Sequence, residues 1–319
     1  MPASTALSRL FQALTESTEP IPALDLTALS DLGTKDVRTL AGIWPNIPLD
    51  VRRPLVQDLG GLANDHIEYD FEAVNRLALA DDNPEIRRLA VANLWECEDA
   101  NLAEALMHMA TDDPDAVVRA AATSALARFV YLGEVNKLSA DLLSTIEDML
   151  ITLAGQTGQP ELRRRAIESL GYSSRAEVPP LIAGAYEADE EAERLASVVA
   201  MGRSAHDRWL PEVLAELNSH SPHIRAEAAR AAGEMESRKA VAPLVELLED
   251  AHPSVRRAAI WSLGQLGGNQ ARNALEHLSE SEQAPEDLTL IEDALDYLGF
   301  LESTPEFLLM DLDGPDEEP

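Results

Sequence analysis

Apolar residues return along this chain in two alternating helical stripes. One stripe reads Val178, Leu181 and Ile182, then Leu210, Val213 and Leu214, then Val241, Leu244 and Val245, each an i, i+3, i+4 set that marks one face of a helix. The other surrounds a recurring arginine, with apolar positions at −1, +3, +4 and +7, filled around Arg256 by Val255, Ala259, Ile260 and Leu263. Prolines punctuate both. Pro179, Pro180, Pro211 and Pro243 fall in the first turn of the first stripe, and Pro160, Pro222 and Pro253 open the second, where a missing amide costs little. The pattern predicts a pair of helices per unit, and the unit returns every 31 residues: Arg163, Arg194, Arg225 and Arg256 are evenly spaced, each followed eight residues later by Gly171, Gly202, Gly233 and Gly264. Looser copies begin at Pro48, Val51 and Arg52, at Pro84, Ile86 and Arg87, and at Pro114, Val118 and Arg119. A repeat of this length predicts an all-α solenoid.

On a wheel of about 100° per residue the recurring arginine lies inside the apolar arc. A charge there needs partners, and the preceding loops supply Asp81 and Asp82, Asp112 and Asp113, and Asp250. A ladder of Arg to Asp contacts is expected to set the register between units, which makes these arginines structural. Glycine at +8, against a helical penalty of about 1 kcal/mol relative to alanine, implies close approach of a neighbouring backbone or the end of the helix. In one early unit that position is Trp95, so a locally altered stack or an exposed ring is expected there.

The cassettes Pro84-Glu85-Ile86-Arg87-Arg88-Leu89-Ala90, Pro222-His223-Ile224-Arg225 and Pro253-Ser254-Val255-Arg256-Arg257-Ala258-Ala259, closed by Leu263 and Gly264, resemble HEAT repeats. The short unit is similar to the HEAT-like subgroup first associated with phycobilin lyases. The resemblance covers roughly residues 35–300 and implies a right-handed α-solenoid of about eight antiparallel helix pairs. The expected organisation is an N-terminal capping segment over 1–34, with a helix at 4–16, a HEAT-like array over 35–301, and an acidic flexible tail over 302–319. A closing helix at 285–301 carries Glu286, Asp287, Glu292, Asp293 and Asp296, which suits a polar cap. Two irregularities interrupt the period: an insertion near residues 131–141, and the unit of Arg194, which has Glu187, Asp189, Glu190, Glu191 and Glu193 where others have a loop proline.

Composition narrows the partner. Hydrophobic residues make up 45% of the 319 positions but aromatics only 4%, an Ala- and Leu-rich mixture suited to close helix packing. The apolar runs fall short of the roughly 20 residues that cross a bilayer, and the first residues lack the basic-then-apolar layout of a signal peptide, so a cytoplasmic monomer is expected. The formal charge of −32 opposes nucleic-acid phosphates and anionic membranes. Only three lysines (Lys35, Lys137, Lys239) stand beside many arginines, the cation suited to fixed pairing. One cysteine, Cys97, builds neither a disulfide nor a thiolate zinc site and reads as a packed or idle thiol.

Positions +1 and +5 point away from the core, and the resemblance implies that the second helices line a concave side. Arg53 and Gln57, Arg88 and Ala92, Arg164 and Glu168, Leu195 and Val199, Ala226 and Arg230, and Arg257 and Trp261 occupy them. Trp and Arg are enriched at binding hot spots, so a protein-binding groove is expected from Arg88, Trp95, Arg164, Leu195, Val199, Arg230, Arg257 and Trp261. No catalytic, cofactor-binding or metal residues are expected. His220, His223 and His252 sit in loops near Glu249 and Asp250, but their spacing straddles a proline at a helix start. Di-iron HEAT-like hydroxylases use His-Glu pairs, and the chain has no His-Glu dipeptide. A phosphate loop, a nucleophile elbow and a Cys/His dyad are also missing. The reading is a non-enzymatic scaffold or adaptor with a protein partner. Its alternatives are a tetrapyrrole (phycobilin) lyase subunit or lyase chaperone, implied by the resemblance, and a regulatory subunit engaging a basic protein through its acidic surface. Phe307, Leu308, Leu309 and Met310 ahead of the terminal acids are a candidate docking anchor.

Overall fold

A computed structural model describes residues 3–17, 21–280 and 286–310, with side chains described within residues 6–300. All regular structure among the described residues is helical: α1 (Ala3–Glu16), α2 (Ala23–Leu26), α3 (Thr34–Ile43), α4 (Leu49–Asp65), α5 (Glu72–Ala78), α6 (Pro84–Asn93), α7 (Ala100–Asp112), α8 (Ala116–Glu134), α9 (Ala140–Ala154), α10 (Pro160–Leu170), α11 (Val178–Tyr186), α12 (Glu191–Ser204), α13 (Leu210–Glu216), α14 (Pro222–Glu234), α15 (Val241–Leu247), α16 (Pro253–Leu266), α17 (Asn269–Ser279) and α18 (Leu288–Met310), with a few short 3-10 turns. From α3 onward these are sixteen helices among the described residues, the number that eight pairs require, and α5 packs on α6, α7 on α8, α11 on α12, α13 on α14, α15 on α16 and α17 on α18. They fall into two compact units, Met1–Ser169 and Leu170–Pro319.

Local chemistry sets the helix starts. Pro84, Pro160, Pro222 and Pro253 are each the first residue of their helix. Ahead of them, and at related starts, side-chain oxygens take up the orphan amides: Asn83 accepts from the N–H groups of Glu85 and Ile86, Asp115 from Val117 and Val118, and Ser221 from Ile224. Glu190, which stands where a loop proline is missing, makes no such cap for α12.

The second helices of successive pairs pack directly on one another, α4 on α6 and α6 on α8 in the first unit, α12 on α14, α14 on α16 and α16 on α18 in the second. Their apolar arc is the core: Ile86, Ala90, Ile224, Ala228, Val255, Ala259, Ile260 and Leu263 are buried. The recurring glycine lets these helices touch. A Cβ on Gly171 would stand 2.8 Å from the Ala200 carbonyl oxygen, one on Gly202 2.8 Å from Ala231 Cα, and one on Gly233 2.8 Å from Ser262 Oγ. Position +6 is small for the same reason, as Ala200, Ala231 and Ser262. Three polar residues at +6 add a bond across the seam, always to the carbonyl at +4 of the preceding helix: Asn93 Nδ2 to Val56 at 2.7 Å, Ser169 Oγ to Thr123 at 2.9 Å, and Ser262 Oγ to Ala229 at 2.7 Å.

The irregular units have physical outcomes. The insertion after Arg119 is absorbed by extra turns of α8, which runs to Glu134 and turns through Asn136 at φ 60° before α9. This helix of 19 residues is long and apolar enough to cross a membrane by length and composition alone, although Arg119 and Arg128 interrupt its apolar run, and 56% of its most apolar 18 residues is buried within the protein. At Trp95 the helix has already stopped at Asn93, and the indole is 57% exposed. The final helix extends to Met310, past the expected end at 301, and the acidic residues from Asp311 onward lie outside the described residues, as do the side chains of Phe307 to Met310. Asp287, expected on a solvent-facing polar cap, is instead buried at 4% exposure, while Glu292, Asp293 and Asp296 are exposed.

Candidate partner-binding surface

Several of the recurring arginines are taken up by acids of the fold, and this decides which cations remain for a partner. In the first unit Arg52 Nε lies 2.9 Å from Asp81 Oδ2, and Arg87 forks onto Asp113 through Nε and Nη2, both at 2.7 Å. In the second, Arg225 forks onto Asp250 at 2.8 and 3.0 Å. Each of these aspartates serves two arginines. Its carboxylate faces the arginine of the preceding unit, and its backbone carbonyl accepts from the arginine of its own unit: Arg87 Nη1 to Asp81 O at 2.7 Å, Arg119 Nη1 to Asp113 O at 2.7 Å, Arg256 Nη1 to Asp250 O at 3.0 Å. Oδ1 of each also accepts the N–H two residues on, of Asn83, Asp115 and His252 respectively, which holds the loop in its turn. Asp81 also accepts from Trp44 Nε1 at 2.8 Å. Of the expected acids, Asp82 and Asp112 take no part as carboxylates; Asp112 instead meets His108.

Electrostatics follow from this geometry. Burial pushes the Asp113 carboxyl up, but the Arg87 hydrogen bond, the Asp115 N–H and the charges of Arg87 and Arg119 outweigh it and hold it below the usual carboxylate range. The Arg225 fork does the same for Asp250, against a smaller burial effect. The ladder loses its acid after Arg119, whose Nη2 meets the neutral Gln159 Oε1 at 3.3 Å. At its far end Arg256 and Arg257 share Asp287, Arg257 Nε at 2.5 Å and Arg256 Nε at 3.8 Å. Asp287 was not expected as a ladder acid because the other acids precede the arginine of their own unit by six residues, whereas Asp287 occupies the arginine's own place, 31 residues after Arg256.

The groove positions divide by environment. Arg164 is bound to Glu161 at 2.6 Å and Arg257 to Asp287, and Arg88, Leu195 and Val199 are half-buried. Ala226, at an expected outward position, is buried at 5% exposure. In the second unit Arg230 on α14 and Trp261 on the adjacent α16 remain exposed, Arg230 bridged to Glu227 at 3.1 Å. The Trp261 ring edge leans on Gly233, 3.0 Å from where a Cβ would be, so the missing side chain on α14 seats the indole with one face outward. In the first unit Trp95 is exposed near the end of α6, and Arg128 of α8 secures the strand of chain after it through Glu96 O and Glu98.

Other candidate chemistry is thin. Among the described residues no three of His, Cys, Asp and Glu come together in a metal-holding group. Burial pushes the Cys97 thiol up, and its sulfur accepts from Arg76 Nη2 at 3.3 Å. Tyr186 donates to Glu216 at 3.0 Å and is pushed up to about 12 by burial and that carboxylate.

A family model for HEAT repeats matches residues 48–127, 72–148 and 210–296, together more than half of the chain. No curated protein matches the sequence significantly. Similar solved structures include YibA of E. coli, at 18% identity and a TM-score of 0.40 over 92% of this chain and 96% of that one. Human deoxyhypusine hydroxylase in complex with glycerol is similar at 18% identity and a TM-score of 0.36, over 83% of this chain and 96% of that one. Importin beta is similar at 12% identity and a TM-score of 0.44, over 93% of this chain and 47% of the other.

Proposed function

The chain belongs to the HEAT-repeat family, and from that premise we propose that it is a non-enzymatic scaffold or adaptor of the cytoplasm that holds a protein partner on the outward face of its second helices. The observation that carries this reading is the pair Arg230 and Trp261. They sit side by side on α14 and α16, remain exposed while most other arginines of the repeat are engaged, and belong to the two residue types most enriched at hot spots. Leu195 and Val199 on α12 offer half-buried apolar surface on the helix packed against α14. Arg88 and Trp95 give the first unit a face of the same chemistry.

The charge of −32 favours a second reading, in which the partner is basic and the acidic surface steers it electrostatically. Affinity capture with the full-length protein at low and high salt separates the two. A stoichiometric partner retained at high salt and lost with Trp261→Ala and Arg230→Ala supports the apolar face. Retention only at low salt, unaffected by those substitutions, supports the electrostatic reading.

A further inference from the structure

Between α15, α16 and α17 the second unit has a half-open cavity of about 800 Å³, the size of a small-molecule site. Its wall is apolar along Val245, Leu248, Ile260 and Leu278. On the side of α17 it is lined by Asn273, Ala274 and His277.

Arg256 stands in the wall of this cavity with donors to spare. Its Nη1 is used on the carbonyls of Asp250 and Ala251 at 3.0 and 3.4 Å. Its Nε is 3.8 Å from Asp287, beyond hydrogen-bond reach, because Arg257 holds that carboxylate at 2.5 Å. Where Arg87 and Arg225 each receive a forked carboxylate, Arg256 presents Nε and Nη2 without a hydrogen bond among the described residues. The other carboxylate nearby, Asp250, is already taken by Arg225 and by the His252 N–H.

We propose that this cavity binds an organic monocarboxylate with an apolar body, its carboxylate forked onto Arg256 Nε and Nη2 and its body against Val245, Leu248 and Ile260. The ligand completes at this rung the fork that the fold completes elsewhere, which is the bidentate geometry a guanidinium favours. His277 and Asn273 add side-chain N–H donors at the wall. A single negative charge suits the site better than a phosphate dianion, since Glu249, Asp250 and Asp287 also line it and the chain is strongly acidic overall. Neither Arg230 nor Trp261 lines the cavity, so the site is independent of the partner surface.

The test is isothermal titration calorimetry of the full-length protein with octanoate, using octylammonium as the charge-reversed probe. One-to-one octanoate binding is expected, weakened about tenfold or more in Arg256→Gln, the loss of a charge-assisted hydrogen bond. The Ala274→Leu variant puts a branched side chain on the wall where the octanoate chain would lie, and is expected to weaken binding without removing Arg256. This second variant decides the matter if Arg256→Gln does not fold. Absence of octanoate binding by the parent chain, undiminished binding by Ala274→Leu, or octylammonium binding as tightly as octanoate overturns the proposal.

Discussion

Arg225 and Asp250 are joined across 25 residues of chain by two parallel hydrogen bonds, at 2.8 and 3.0 Å, with both side chains largely shielded from water. Arg225 also donates to the Ser219 and His220 carbonyls, and Asp250 also accepts from His252, so both charges are well satisfied. Removing one partner leaves the other shielded and uncompensated, which is costlier than the pair itself is stabilising. Asp250→Ala is therefore expected to destabilise the second unit by about 3 kcal/mol. Arg225→Lys is expected to recover little, because an ammonium cannot fork. Urea unfolding followed by circular dichroism measures both, and a midpoint unchanged in Asp250→Ala would remove the ladder from the stability of the fold.

The depressed Asp113 and Asp250 carboxyls give the stability a pH dependence of definite sign. A group whose folded pKa lies below its unfolded value of about 3.9 stabilises the fold above that pH, and the contribution is lost as pH falls through the lower folded value. Asp113→Asn is thus expected to lower the melting temperature at neutral pH, with the gap to the parent chain narrowing as the pH falls below about 3.9. Melting curves across the acid range report it, and a gap independent of pH would show that the Arg87 fork contributes through packing alone.

Adjacent glycines on α4 are expected to respond with opposite signs. A Cβ on Gly60 would run into the Asn93 side-chain amide, which bonds Val56 O at 2.7 Å and Asn75 Oδ1 at 2.9 Å, whereas Gly61 has nothing within 4 Å. Gly60→Ala should cost about 1–3 kcal/mol by overpacking. Gly61→Ala should stabilise by roughly 0.5–1 kcal/mol, the helical preference for alanine. Chemical denaturation of the two variants side by side is sufficient.

Trp261→Ala is expected to leave most of the stability in place, since the ring is 37% exposed, while weakening partner binding by tenfold or more if the indole anchors the interface. Arg230→Ala, which breaks only an exposed bridge to Glu227, should change stability by less than about 1 kcal/mol. Binding by the captured partner, measured beside the melting temperature of each variant, distinguishes an interface residue from a packing residue.

How much of this was legible in advance depends on whether a feature repeats. The glycine at +8 was readable as a close approach because four copies share a 31-residue step, and the structure brings the next helix against three of them at 2.8 Å. The fate of Trp95 was readable for the same reason, as a departure from a repeated small residue. Outward positions were read less well. Ala226 shares its place in the repeat with Arg257, yet one is buried and the other exposed, because burial at the rim depends on the neighbouring helix rather than on the residue's own angle.

By itself, then, the sequence determined the run of helices, their starts at proline and capping residues, the seam of small residues and the need for partners around the recurring arginines, since these follow from local propensity and period. Only the tertiary structure decided which acid answers which arginine. Asp81 and Asp113 are chosen over their neighbours Asp82 and Asp112 because the turn that caps the next helix aims one carboxylate back toward the preceding arginine. It also decided that Asp287 closes the ladder by going to Arg257, leaving Arg256 facing a cavity, since two guanidinium groups at one end of the stack compete for a single buried carboxylate.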